Sequence, residues 1–270
     1  MSAGAPRGGE GRAYHIGLLA GEVAEELLLV GDPARADRIA ARFDSVRVST
    51  RCREYVTHTG PFRGREISVM ATGMGPDNTE IALVELKPLL AQPTVIRVGT
   101  TGALQRDIQL GELVISREAL RLESVTGFWV EPEFKARASG TVAEALVASA
   151  RNLNAAVHQG LTATAPSFYG AQGRSVGTVV PRDPGLLDRL AAQGVLNMEM
   201  ETSVLFVLGE LLGMRTGAVC AVIGNRATDR FLDDPAAKHA AEDRATEVAL
   251  GALDLLRRAG AVGGSEARPA

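Results

Sequence analysis

Short apolar runs alternate along this chain with longer segments whose apolar positions recur at helical spacing. Residues 27–31 form an apolar run that ends in Gly-Asp-Pro, and residues 34–43 after it read as a helix. Residues 55–59 and 66–71 flank a turn at 61–64 that begins with proline and ends with glycine, which predicts a hairpin. Further strands are expected over 94–99, 112–116, 157–163, 195–198 and 216–223. Further helices are expected over 79–90, 142–153, 186–193, 202–212 and 236–257.

Strands separated by helices imply an α/β fold, with a mostly parallel sheet covered on both faces. In such sheets ligands sit beyond the carboxyl ends of the strands, and the candidate chemistry is expected there. No linker and no solenoid-length repeat divides the chain, so one domain is expected over residues 14–258. The Gly/Ala-rich ends, 1–13 and 259–270, are expected to be flexible tails.

Composition narrows the function classes. The charged residues, 29 basic against 32 acidic, give a formal net charge of −3 without a long run of one sign, which speaks against nucleic acid as a partner. A small anion would need a local cluster of arginines. The two cysteines, Cys52 and Cys220, are too few and too far apart for a disulfide framework or a zinc site. The four histidines show no metal-binding spacing. No apolar run reaches membrane-span length, and the first residues lack a leader's apolar core, so a cytoplasmic protein is expected.

Two familiar motifs are present in part and set aside. Gly173-Arg-Ser-Val-Gly177 matches GxSxG, but residues 178–180 look extended and meet Pro181, where a nucleophile elbow needs a helix. Gly73-Met-Gly75 begins like a dinucleotide fingerprint, but Asn78 stands where the third glycine belongs.

Three strand ends share a pattern of apolar run, small residues and charge or hydroxyl. In Gly31-Asp-Pro-Ala-Arg35, glycine permits close backbone approach and the helix start would turn N–H groups toward an anion. In Arg97-Val-Gly-Thr-Thr-Gly102, an arginine inside an apolar strand needs a partner, and two hydroxyls come after it. Ala71-Thr-Gly-Met-Gly-Pro76 is the third. Each also has a plainer reading, as a common turn or as a core ion pair with Arg97. Together, two arginines and several hydroxyls at successive strand ends favour an oxyanion site.

Asn197-Met-Glu-Met-Glu201 sets two carboxylates at a strand–helix junction. A buried carboxylate would suit a vicinal diol, or would complement a helix start. In the segment Phe168-Tyr-Gly-Ala-Gln-Gly-Arg174, Gln172 can both accept from and donate to a pyrimidine edge, Arg174 can donate to a carbonyl, and Phe168 offers a packing face.

With these motifs in order, the chain resembles the uridine phosphorylase branch of the hexameric nucleoside phosphorylases. The likeness runs from His15 to about Arg257 and adds Arg53-Glu-Tyr55 and Val222-Ile-Gly-Asn-Arg226 to the segments above. The resemblance implies a single-domain three-layer α/β/α sandwich with a mixed, mostly parallel sheet. It implies phosphate ligands at Gly31, Arg35, Arg97 and Thr100, with Arg53 from a neighbouring subunit. Thr100, Met200 and Glu201 would line the ribose with Glu199 close by, and the neighbour's His15 would reach the 5′-hydroxyl. Phe168, Gln172, Arg174 and Arg226 would form the base end. Arg97, Arg174, Glu201 and Arg226 would carry the chemistry, with inorganic phosphate as co-substrate and no resident cofactor. A homo-oligomer is implied, a hexamer built as a trimer of dimers.

Gly224-Asn-Arg226 stands where purine relatives carry Ser-Asp, and Gly-Thr-Thr-Gly where they carry Gly-Ser-Cys-Gly; both differences favour a pyrimidine nucleoside. A purine phosphorylase, a nucleosidase using water, or a silent ligand-binding protein on the same fold remain the rivals. Some relatives hold potassium between subunits; Glu54 and Met74 match that site, but Asn78 replaces the serine, which counts against the ion. Gly224 also replaces a bulkier apolar residue, widening the space near the base.

Overall fold

The computed structural model describes residues 6–265, with side chains described as far as Ala259. β1 (Glu26–Val30) runs through Gly31 into α1 (Pro33–Ala40). Asp32 caps that helix by accepting from the Ala34 N–H at 2.9 Å, and Pro33 fills the first helical position, where no donor is missed. β2 (Val48–Cys52), β3 (Tyr55–Phe62) and β4 (Arg65–Ala71) form an antiparallel meander, and α2 (Pro76–Leu86) comes after it. Next come β5 (Thr94–Ala103), β6 (Leu113–Arg121), the short β7 (Ala136–Arg137), α3 (Gly140–Asn152) and β8 (Val157–Thr164). The chain continues with α4 (Leu186–Ala192), β9 (Val195–Glu199), α5 (Thr202–Leu211), β10 (Arg215–Asn225), β11 (Arg230–Phe231) and α6 (Pro235–Ser265).

The strands make one mixed sheet in the order β11-β10-β6-β8-β9-β5-β1-β4-β3-β2, with β7 on β6. β5 also pairs with β10, so β10, β6, β8, β9 and β5 close on themselves while the rest fan out from β1. Parallel pairing joins β1 to β4 and β5, β10 to β5, and β8 to β6 and β9. The remaining pairs, including β10–β6 and β5–β9, are antiparallel, a larger share than alternating strands and helices suggested.

Side-chain alternation splits the core between two faces. Leu28, Val30, Ile96 and Val98 pack on one side with Ile39 of α1, Leu146 of α3 and Val248 of α6. Leu27, Leu29 and Val95 pack on the other with Leu83 and Leu86 of α2 and Phe206 of α5. The result is the expected three-layer α/β/α sandwich.

Several boundaries move. β5, expected to stop at Gly99, continues to Ala103 because β10 lies alongside it throughout and supplies partners for Gly99 to Gly102. Thr100 and Thr101 therefore sit on a strand end held by β10, in the gap between β1 and β9 on its other edge, rather than in a loop. α2 begins at Pro76, ahead of the expected residue 79, and the last turn of that segment, Lys87–Leu89, is a 3-10 turn. Within the expected N-terminal tail, Arg7 bridges Ala13, Ala13 is buried, and Arg12 pairs with Glu22 at 2.7 Å, so its described part is tied down. Residues 1–5 and 266–270 lie outside the described residues, and α6 runs past the expected boundary to Ser265.

Candidate active site

The carboxyl ends of β1, β4, β5, β9 and β10 converge on a cavity of about 570 Å³. Its floor is Arg97, placed on β5 and almost wholly buried. The Nε of Arg97 donates to Glu199 Oε2 at 2.9 Å, and its Nη2 lies 2.5 Å from Glu201 Oε2. Burial opposes the guanidinium's charge, but Glu201 and Glu199 outweigh it and hold Arg97 above the ordinary arginine range. Arg97 thus satisfies both readings of the sequence: it is a core ion pair, and it lines the cavity.

The two glutamates divide the roles left open. Glu199 accepts from Thr164 Oγ1 at 2.6 Å, from the Glu201 N–H at 2.8 Å and from the Thr202 N–H at 3.0 Å, besides Arg97. It is the helix-start carboxylate, anchoring the first turn of α5 to β8. Glu201 has fewer partners: Oε1 accepts from the Gly75 N–H at 2.6 Å and Oε2 meets Arg97. Each oxygen retains a lone pair for a ligand hydroxyl. Burial pushes the Glu201 carboxyl up against the pull of Arg97, and Glu199 adds to the rise.

Gly31, Arg35, Arg97 and Thr100 come together along the cavity wall. A Cβ on Gly31 would lie 3.3 Å from the Gly73 carbonyl oxygen, a close approach between two strand ends. A Cβ on Gly99 would lie 2.8 Å from Arg97 Nη2 and 2.9 Å from Cys220 Sγ, so only glycine leaves room for the arginine there. Arg35 donates through Nη1 to the Val98 carbonyl at 3.2 Å and through Nη2 to Glu242 at 2.7 Å.

Phe168, Gln172, Arg174 and Arg226 line the other part of the cavity, with Gly224 and Phe231. Arg174 stacks over Phe168 with its guanidinium carbon 4.1 Å from the ring centre, and donates to the Phe168 carbonyl at 2.7 Å. One face of the expected packing ring is therefore already covered. Burial, and then the charge of Arg226, pull Arg174 below the ordinary arginine range. Arg226 donates to the Gln172 carbonyl at 3.1 Å, tying this loop to the end of β10. Met200 also lines the cavity.

His15 and Arg53 are not brought to this cavity. His15 faces Glu85, with Nδ1 2.6 Å from Oε1, at a separate hollow of about 380 Å³. Arg53 lies over the Tyr14 ring at 5.1 Å and has a left-handed backbone, φ 54°. Glu54 and Met74 reach the cavity edge, and Asn78 turns its Nδ2 toward Gly73, where a Cβ would lie 2.9 Å away. In the set-aside GxSxG match, Ser175 is exposed and no helix comes directly after it, as the sequence suggested, and no strand precedes it either.

Sequence reasoning passed over Lys238, Phe231 and Glu242. Lys238 and Phe231 line the cavity from α6 and β11. Phe231 pairs with Gly224 across the short β10–β11 ribbon, and a Cβ on Gly224 would meet its ring at 3.4 Å. The Phe231 ring thus packs beside Gly224 at the cavity wall, where a Cβ would make an ordinary contact with it.

An arginine-floored cavity at the strand ends of a three-layer α/β/α sandwich agrees with the comparisons to known proteins. The family model described as "Phosphorylase superfamily" matches residues 27–258, and the chain belongs to that family. Within it, the chain is 42% identical to a uridine phosphorylase of Thermococcus kodakarensis, over 86% of this chain and 84% of that protein. It is 34% identical to a uridine phosphorylase of Haemophilus influenzae, over 90% of this chain and 98% of that protein. Its fold matches the crystal structure of uridine phosphorylase from Vibrio fischeri with a TM-score of 0.82 at 28% identity, covering 91% of this chain and 98% of that one.

Proposed function

We propose that this protein catalyses the reversible phosphorolysis of a pyrimidine ribonucleoside, uridine first, to free base and α-ribose 1-phosphate. The likeness to uridine phosphorylases over most of the chain supports it. The observation that carries it is the arrangement of Arg97 with Glu201 in one cavity that Arg35, Gln172 and Arg174 also line.

Cleavage of the N-glycosidic bond leaves positive charge on the sugar and negative charge on the base. An anionic nucleophile is then needed on one face and hydrogen-bond donors at the leaving group. On this reading Gly31, Arg35, Arg97 and Thr100 hold phosphate. Glu201 accepts from the ribose diol, fixing the sugar so that attack comes from one direction. Phosphate oxygen bonds to C1′ with inversion as the bond to the base nitrogen breaks, and no covalent enzyme intermediate is required. Gln172 and Arg174 receive the uracil edge, with Arg226 behind them. Inorganic phosphate is the only co-substrate, and no step depends on a resident cofactor or on potassium.

His15 and Arg53 lie outside the cavity of their own chain, which suits a homo-oligomer in which a neighbour presents them, a hexamer built as a trimer of dimers. Phe128, 89% exposed, and the half-exposed Trp129 give the free chain an apolar surface of the kind that association covers. Among the described residues no helix is long and apolar enough to cross a membrane, and a cytoplasmic setting fits this reading.

The test is a panel of six nucleosides, pyrimidine and purine, each with and without phosphate. Uridine turnover that requires phosphate supports the proposal; preference for inosine, or equal turnover without phosphate, refutes it.

A further inference from the structure

Arg35 and Arg38 stand one turn apart on α1, and both reach a single carboxylate, Glu242 of α6. Glu242 is 2% exposed. Its Oε1 accepts from Arg35 Nη2 at 2.7 Å and its Oε2 from Arg38 Nη2 at 2.5 Å. Arg35 makes a second tie, from Nη1 to the Val98 carbonyl of β5 at 3.2 Å. Both ends of its guanidinium fork are thus fixed, one by the C-terminal helix and one by the central sheet, while its Nε is buried without a partner. A planar fork held at both terminal nitrogens cannot rotate, so its remaining donors keep one direction.

The charge balance points the same way. One carboxylate faces two guanidiniums, leaving a surplus positive charge in the cluster. The Arg38 side chain is 31% exposed and shares its charge with solvent, whereas Arg35 is buried at the cavity wall. A buried surplus cation at a cavity is favourable only when an anion arrives.

We propose that Glu242 is a positioning residue for the phosphate site. It does not touch the anion, which it would repel; it sets the orientation of Arg35 and keeps Arg38 from crowding it. The proposal rests on the reading of Arg35 as a phosphate ligand. It also makes α6 part of the site's support, so that phosphate affinity depends on a helix far along the chain from the strand ends.

Steady-state kinetics on the full-length protein, varying phosphate and uridine separately, test it. Glu242→Gln should raise the KM for phosphate by roughly ten- to hundredfold, the size seen when residues that orient metal ligands are lost, with a much smaller change in the KM for uridine. Arg38→Gln should stay close to wild type, because Arg35 keeps its tie. Should Glu242→Gln not fold, the double variant Arg38→Gln/Glu242→Gln restores the cluster's net charge and should still show the raised phosphate KM. A merely structural role would lower thermal stability and the active fraction without moving that KM. If Arg35→Ala raises the phosphate KM while both Glu242 variants keep the wild-type value, the positioning role is overturned. If Arg35→Ala itself changes nothing, the assignment of Arg35 to phosphate fails, and the proposal with it.

Discussion

Arg97 and Glu201 meet at 2.5 Å through Nη2 and Oε2 on the floor of the cavity, while Glu199 takes the Nε of the same arginine. The neighbouring glutamates should therefore respond differently to loss of charge. Glu199→Gln removes a buried carboxylate that ties Arg97, Thr164 and the start of α5 together, and should destabilise the protein by about 3–5 kcal/mol. Glu201→Gln leaves Arg97 with Glu199, so the protein should stay folded while kcat/KM for uridine falls by about 10²–10³. Urea denaturation and kinetics on both variants check this; equal effects on stability would show that the roles are not divided.

The acid side of the pH profile should report Glu201. Its carboxyl is pushed above the ordinary glutamate value by burial, so it takes up a proton at a higher pH than a free glutamate. Protonation removes the charge facing Arg97 and one acceptor for a sugar hydroxyl. Activity should fall as pH drops through that raised value, and the limb should vanish in Glu201→Gln. The sign for stability is opposite. A raised carboxyl favours the protonated fold, so this group's contribution is lost as pH climbs from the unfolded value through the folded one. A kcat/KM profile flat down to the ordinary carboxylate range would contradict the assignment.

Arg174 should matter for the base and little for phosphate. It lines the cavity with Gln172 and Arg226, whereas the ties of Arg35 run to Val98 and Glu242. Arg174→Ala should lower kcat/KM for uridine by about 2–4 kcal/mol, the loss of a charged hydrogen bond. The phosphate KM should change far less. A variant that keeps wild-type kcat/KM on uridine would remove Arg174 from the base site.

Assembly should be required for activity. His15 pairs with Glu85 and Arg53 stacks on Tyr14, both away from their own chain's cavity. Sedimentation of the active protein should show an oligomer, and His15→Ala should weaken uridine binding without disturbing the mass. Full activity from a sedimenting monomer would refute the shared site.

Local chemistry explains what was legible in the sequence. Asp32, Pro33 and Gly31 announce a strand end and a helix start by capping and backbone rules that act within a few residues. Arg97 stood out because a charge in an apolar strand must find a partner, but only the fold shows that Glu199 and Glu201, about a hundred residues on, supply it. Long-range pairing hid the rest. Gly99 and Gly102 weaken the strand signal on either side of Thr100 and Thr101, and β10 holds the segment extended. β2 is half-exposed and polar, and β11 is a two-residue exposed ribbon, so neither shows an apolar signature. Glu242 sits among other charged residues of α6, 207 positions from Arg35, and only the fold brings them together. His15 and Arg53 carry no local mark of function, and only the family resemblance singled them out.

The most direct test of the central claim is product stoichiometry. Purified protein, uridine and inorganic phosphate are followed together by proton and phosphorus NMR. Uracil and α-ribose 1-phosphate should appear in equal amounts, with phosphate consumed in step and no turnover when it is left out. Uracil accompanied by free ribose, with phosphate untouched, would contradict phosphorolysis.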